Sequence, residues 1–182
     1  MDSFPLIETN RIRLRKPNAG DIPCITKYAN HPRISEMTLS IPYPYREKDA
    51  ISWVHMANKG FEDRSKYLFA ICKLADDAFL GAAGLEVNPR FNRAELGFWI
   101  GVPFWGNGYA TEAVGAILEF GFNQINLNKI YAIHLVKNPA SGRVMTKNGM
   151  VKEGTLADHI KKGDRYCTVL QYRLTKSEYT RK

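Results

Sequence analysis

The chain has 182 residues, 26 of them Lys or Arg and 18 Asp or Glu, which gives a formal charge of +8. With 45% apolar and 24% charged residues it has a soluble globular make-up, which excludes a disordered or collagen-like chain. One core commonly serves ~100–200 residues, so a single domain is expected over 1–182, and no apolar run nears the ~20 residues that span a bilayer.

The opening MDSFPLIETNRIRLRK carries Asp2 and Glu8 early and has no apolar core after a basic start, so it does not read as a signal peptide. Residues 11–16 alternate Ile12 and Leu14 with Arg11, Arg13 and Arg15, a half-buried strand. Asp21 is placed to cap a helix running to about Asn30, which His31-Pro32 would end. Over 46–59 a second helix is expected. Ala50, Trp53, Val54 and Ala57 share its face, Glu47 and Asp49 sit in its first turn, and Lys59 and Gly60 close it.

Residues 67–73 and 79–87 are β-rich and joined by the turn Ala75-Asp76-Asp77-Ala78. A strand over 93–101 puts Ala94, Leu96, Phe98 and Ile100 on one face and Glu95, Gly97, Trp99 and Gly101 on the other. After a Gly-rich segment, Ala110, Ala113, Val114, Ile117, Leu118 and Gly121 form a helical stripe. A strand over 129–137 follows, then Asn138-Pro139 as cap and first residue of a short helix that Gly149 closes. Strands over 151–159 and 164–174, joined at Lys162-Gly163-Asp164, end the pattern. The order βααβββαβαββ, free of repeats and linkers, is a mixed α/β layer fold in which 93–137 is one crossover unit.

Cys24, Cys72 and Cys167 lie far apart with no metal-ligand spacing, which speaks against a disulfide framework or a zinc site. Reduced thiols and a cytoplasmic location are the expectation. The charge suits nucleic acid, a ligand carrying several phosphates, or solubility alone.

The most informative segment is Trp105-Gly106-Asn107-Gly108-Tyr109-Ala110-Thr111-Glu112, between a strand and a helix. Two glycines let N–H groups turn inward at a helix N-terminus that carries about half a positive charge, a cradle for a pyrophosphate. It lacks the Gly-Lys-Ser/Thr ending of a P-loop. As a dinucleotide fingerprint it has Thr111 where Gly or Ala belongs, and Lys137-Asn138 where the next strand should close on an acid.

The phrase FWGNGYATEA, followed by Asn138-Pro139-Ala140-Ser141 and Lys147-Asn148-Gly149, resembles the GNAT acetyltransferase superfamily and its RimJ/RimL-type branch, the ribosomal-protein N-terminal acetyltransferases. ETNRIRLRKPNAGD and IPYPYREKDAISW are similar to that branch's opening strand and second helix, so the resemblance covers roughly 8–174. It departs at Trp105, where Arg or Gln is common, at Met150 for Phe, and at Cys167 for Asp, which is therefore given no role.

The resemblance implies a mostly antiparallel sheet of about seven strands, flanked by about four helices and splayed between strands 93–101 and 129–137. It implies acetyl-CoA as co-substrate, without metal. The diphosphate would lie on Gly106, Asn107, Gly108, Tyr109, Ala110 and Thr111, and the pantetheine arm along the main chain of Trp99, Ile100 and Gly101. Asn138 would cap its helix and bond the pantetheine, Arg143 would reach the phosphates, and Ser141 would protonate the leaving thiolate. Glu95, a carboxylate in an apolar strand, is either a general base with a raised pKa or a salt-bridged structural residue. Tyr43, Tyr45, Trp53 and Tyr172 are candidates for the acceptor pocket. His134 reads as a satisfied core histidine.

The reaction implied is direct transfer to a primary amine, with a ribosomal-protein or peptide N-terminus as the leading acceptor. Amino acids, polyamines and aminoglycosides are the small-molecule alternatives. An α-amine of pKa ~8 is roughly a tenth neutral at pH 7, against about 0.04% for a lysine, so it needs only modest activation. Two other classes stay open: a non-catalytic acyl-CoA sensor, and an RNA-binding module that would use the basic tail Lys176, Arg181 and Lys182. A homodimer is also left open.

Overall fold

Residues 3–181 are described by the computed structural model, so Asp2 and Lys182 lie outside it. Period-two burial builds the first edge of the sheet. Ile12 and Leu14 in β2 (Ile12–Arg15) are fully buried, and β1 (Ile7–Glu8) pairs with it antiparallel. The same alternation in β3 (Lys66–Lys73) divides the core in two. Phe69 and Ile71 join the larger cluster, and Ala70 and Cys72 the smaller. Helix α4 (Tyr109–Glu119) fills the first side through Ala113, Val114, Ile117 and Leu118. Helices α1 (Ile22–Ala29) and α3 (Glu47–Glu62) fill the second through Ile25, Ala29, Ala50 and Val54.

With β4 (Phe79–Asn88), β5 (Arg93–Ile100), β6 (Lys129–Leu135), β7 (Val151–Lys162) and β8 (Arg165–Thr175), the sheet has eight strands in the order β1-β2-β3-β4-β5-β6-β8-β7. Every pairing is antiparallel except β5 with β6. The expected class is met, with three added elements: β1, α2 (Pro32–Met37) and α6 (Lys176–Tyr179), beside α5 (Pro139–Lys147).

Several local readings are corrected. Asp21 precedes α1 but does not cap it. Its carboxylate is held by Arg15 at 2.8 and 2.9 Å and by the Asn18 N–H at 2.9 Å, so it is a buried ion-pair partner. His31-Pro32 starts a helix as well as following one: Pro32 is the first residue of α2 and the His31 ring accepts from the Arg33 N–H at 3.2 Å. Gly60 lies inside α3, where a Cβ would come within 2.6 Å of the Lys66 side chain. Strand β6 stops at Leu135, while β7 and β8 form a longer hairpin than expected.

What positions a site is the way β5 and β6 part. They pair only from Arg93↔Lys129 to Glu95↔Tyr131, although β5 continues to Ile100 and β6 to Leu135. Beyond that point each strand bonds only to its outer neighbour, β5 to β4 as far as Ile100↔Gly81 and β6 to β8 as far as Leu135↔Val169. Gly81 permits the tight β4–β5 approach, since a Cβ there would lie 2.2 Å from the Trp99 carbonyl oxygen and 2.8 Å from the Ile100 Cα. Gly81→Ala is expected to cost ~1–3 kcal/mol of stability in urea titrations, the usual cost of overpacking, and to weaken ligand binding in the gap.

Candidate active site

The parted strands open a cleft of about 1310 Å³. Strand β5, the loop before α4, the start of α5, and the segment from α2 to residue 42 wall it, and α3 closes its far end. The loop is built stepwise from the sequence. Pro103 sits in a 3₁₀ turn (Val102–Phe104), and the Trp105 indole N–H then donates to the Ile100 carbonyl at 2.6 Å. Asn107 folds its amide back on the carbonyls of Phe104 and Trp105, at 3.1 and 3.2 Å. Gly106 and Gly108 take φ of +81° and +80°, a region that disfavours side chains.

The first intrahelical bond of α4 runs from the Glu112 N–H to the Gly108 carbonyl. No side chain caps this helix. Among the described residues, none of the six consecutive main-chain N–H groups from Gly106 to Thr111 has a recorded acceptor. Unpaired main-chain donors at the positive end of a helix suit an anion such as a diphosphate. Arg33, whose guanidinium lies 4.6 Å from the Trp105 ring centroid, lines the same cleft, as do Arg143 and Lys147 of α5.

Along β5 the antiparallel alternation decides which backbone groups face the gap. The Gly101 N–H donates to the Leu80 carbonyl at 2.8 Å, so Trp99 and Gly101 bond toward β4 and the main chain of Phe98 and Ile100 turns toward β6. Trp99 and Ile100 line the cleft and Gly101 does not. The expected Trp99–Gly101 edge is thereby shifted to Phe98 and Ile100, because ladder parity was not readable from one strand. On the other face of β5, Gly97 keeps the floor open between Glu95 and Trp99: a Cβ there would meet nothing within 4 Å.

Of the other sequence-predicted residues, Glu95, Gly106, Gly108, Tyr109, Ala110, Thr111, Asn138, Ser141, Arg143, Tyr45 and Trp53 share this one cleft. Three do not reach it. Asn107 is turned into the loop, and its carbonyl accepts from Arg11 at 2.9 Å. Tyr43 is 57% exposed and is not part of the cleft lining. Tyr172, opposite Ala132 in the β6–β8 register, sits behind α5 with its ring 5.5 Å from His134. His134 is buried as expected, yet only half satisfied. Its Nδ1 bonds the Leu135 carbonyl at 2.8 Å while Nε2 has no partner among the described residues. Sequence reasoning missed Arg33, Asp49, Lys66 and Glu86 on the lining, residues whose charges give no periodic signal.

The model of the acetyltransferase (GNAT) domain family matches residues 11–151. The chain belongs to the GNAT acetyltransferase family. It is 30% identical over 172 residues to the uncharacterized N-acetyltransferase p20 of Bacillus licheniformis, covering 94% of this chain and 96% of that one. The spermidine N-acetyltransferase of Vibrio cholerae, solved with CoA and spermine, superposes with a TM-score of 0.81 at 26% identity over 94% of this chain and 99% of its own. RimL, the ribosomal L7/L12 α-N-protein acetyltransferase solved with coenzyme A, shares the fold with a TM-score of 0.86 at 16% identity, covering 96% and 99%. The protein is an acetyl-CoA-dependent N-acetyltransferase.

The electrostatics of the acetyltransferase cleft are divided by position. Lys66, Glu86 and Glu95 stand in a cross-strand row, Lys66↔Glu86 in β3–β4 and Glu86↔Glu95 in β4–β5. Lys66 is ion-paired with Glu86. Glu95 has no ion pair among the described residues, and its one bond is from the Tyr131 hydroxyl at 3.2 Å. Burial raises its pKa above the usual carboxylate range, opposed by that bond. Burial and the nearby Asp49 push Tyr45 up to about 12. Asn138 caps α5 through the Ser141 N–H at 3.3 Å and also donates to the Met37 carbonyl at 2.9 Å, tying α5 to α2. The Ser141 hydroxyl has no recorded partner among the described residues. Among these residues there is also no group of three His, Cys, Asp or Glu able to hold a metal, and no helix long and apolar enough to cross a membrane.

Acetyl-CoA is expected to raise the melting temperature with concentration, by mass action on the folded state, in differential scanning fluorimetry. Gly108→Pro removes one cradle N–H and imposes a φ near −65°, so most of that rise should disappear.

Proposed function

We propose that this acetyltransferase acetylates the α-amine of a polypeptide N-terminus, by direct transfer within a ternary complex, in the manner of the RimJ/RimL-type branch. The observation that carries the choice of acceptor is the number of free carboxylates. Among the described residues, three carboxylates line the cleft. Glu86 is paired with Lys66, and Asp49 accepts the Arg46 N–H at 2.7 Å at the start of α3. Glu95 alone is uncommitted to a cation or a helix terminus. A polyamine presents several cations and needs several acids, whereas a peptide N-terminus presents one. The five lining cations, Arg33, Lys66, Lys137, Arg143 and Lys147, further disfavour a polycation. Tyr45, Trp53 and Met56 supply an apolar wall for the first side chain of a peptide.

In this reading the N–H groups of Gly106 and of residues 108–111 hold the diphosphate, with Arg143 beside them, and the main chain of Phe98 with the Ile100 N–H takes the pantetheine arm as an added strand. Acetyl-CoA supplies the acetyl group activated as a thioester. Glu95 accepts a proton from the amine, directly or through water, as the new N–C bond forms. Ser141 Oγ–H gives a proton to sulfur as the C–S bond breaks and is reprotonated by solvent water, to which Glu95 releases the proton it took from the amine, so protons balance over the turnover. No cysteine lines the cleft, and burial drives the Cys72 thiol up to about 12, which favours direct transfer over an acyl-cysteine.

Glu95→Gln is expected to lower kcat by about a hundredfold. Because the carboxylate must be ionised to act and burial raises its pKa, wild-type activity falls with acidification through a limb above the ordinary carboxylate range, and the Gln variant lacks that limb. In a thiol-release assay, peptides with free N-termini should exceed spermidine, free amino acids and aminoglycosides by about tenfold or more in kcat/KM. A preference for spermidine, the acceptor named for the Vibrio cholerae relative, would replace the peptide reading with a polyamine one.

A further inference from the structure

The outer side of the diphosphate loop is gripped by one residue from the far edge of the sheet. Arg11 lies in the β1–β2 turn, and its guanidinium engages three successive parts of the loop and helix. Nη1 donates to the Asn107 carbonyl at 2.9 Å, Nε and Nη2 hold Glu112 Oε2 at 2.8 and 2.6 Å, and the charge lies 5.0 Å from the centroid of the Tyr109 ring. The Arg11 N–H and the Thr9 hydroxyl take the other oxygen of Glu112, at 3.0 and 2.6 Å. The Glu112 carboxylate is thus fully engaged and mostly buried, at 17% side-chain exposure.

Glu112 suits the helix dipole but opposes the ligand. It lies in the first turn of α4, beside the six free N–H groups, and its bare charge would repel a diphosphate seated there. We propose that Arg11 is a positioning residue for the diphosphate of acetyl-CoA, neutralising Glu112 and fixing the Asn107 carbonyl outward so that the loop's N–H groups face the cleft. The inference rests on the diphosphate seating at this loop, as argued above. It differs from a simple brace in one respect. A brace fails equally when either partner is lost, whereas a neutralising clamp fails when the cation is lost and survives when the anion is.

Calorimetric titration with CoA, run alongside melting curves, tests this. Arg11→Gln should weaken CoA about tenfold or more, Glu112→Gln should stay within about twofold of wild type, and the double variant should recover at least half of the loss on a logarithmic scale. With acetyl-pantetheine, a donor without the diphosphate, kcat/KM of Arg11→Gln should match wild type. Equal weakening by the two single variants, no recovery in the double variant, or an equal loss with acetyl-pantetheine overturns the proposal. If Arg11→Gln does not fold, Arg11→Lys carries the test: it keeps the charge and should stay within about threefold, and a tenfold loss overturns the proposal. If the wild type itself favours acetyl-CoA no more than acetyl-pantetheine, the seating of the diphosphate is what fails.

Discussion

The architecture depends on two strands that stop bonding to each other while remaining fully bonded to their outer neighbours. After Glu95↔Tyr131 the β5–β6 ladder ends, yet β5 stays locked on β4 and β6 on β8. The released main-chain groups of Phe98 and the Ile100 N–H would be costly to bury unpaired, so the gap must be filled by water or by a ligand with strand-like donors and acceptors. Trp105 helps keep it open, because its indole N–H occupies the Ile100 carbonyl that a neighbouring strand would otherwise use. The interrupted sheet therefore turns main-chain donors and acceptors toward the cleft, and the elements around it keep it in that state.

Charge is arranged along the same cleft. The loop end carries the N-terminus of α4 with Arg33, Arg143 and Lys147, and the other end carries the row Lys66, Glu86 and Glu95. Pairing within that row has a chemical consequence. Lys66 takes Glu86 and leaves Glu95 without a cation, so the rise that burial gives the Glu95 pKa is not cancelled by an ion pair. Had Glu95 been the ion-paired member, its pKa would fall and its basicity with it.

Much of this was legible because it depends on local rules. Alternation in 12–15 and 93–100, the Gly106-Asn107-Gly108 turn, and Asn138-Pro139 at the start of α5 each act within a few residues. What stayed hidden depends on register or on distant pairs. Tyr172 lies on a strand as expected, but the Ala132↔Tyr172 pairing puts its ring behind α5, and one sequence cannot report which way a strand is turned. Asp21 has the residue type of a helix cap, but Arg15 and the Asn18 N–H engage its carboxylate instead. The helix that begins at Pro32 was masked by the same proline that signals an end, since Pro both follows one helix and opens the next.

Arg11 and Glu112 show how the two kinds of information combine. Each sits in a segment that was readable separately, one in an opening strand and one in the phrase after the glycines, about a hundred residues apart. Their contact closes the sheet edge onto the loop, so the fold's outermost strands bear on the chemistry at its centre. In the reading argued above, an acid beside an anion site needs a cation held against it, and the β1–β2 turn delivers that cation without occupying the cleft. The +8 surplus is then better understood by where individual charges are spent than by its total: some on the lining of the cleft, one on silencing Glu112, and many on ion pairs and solvent far from either.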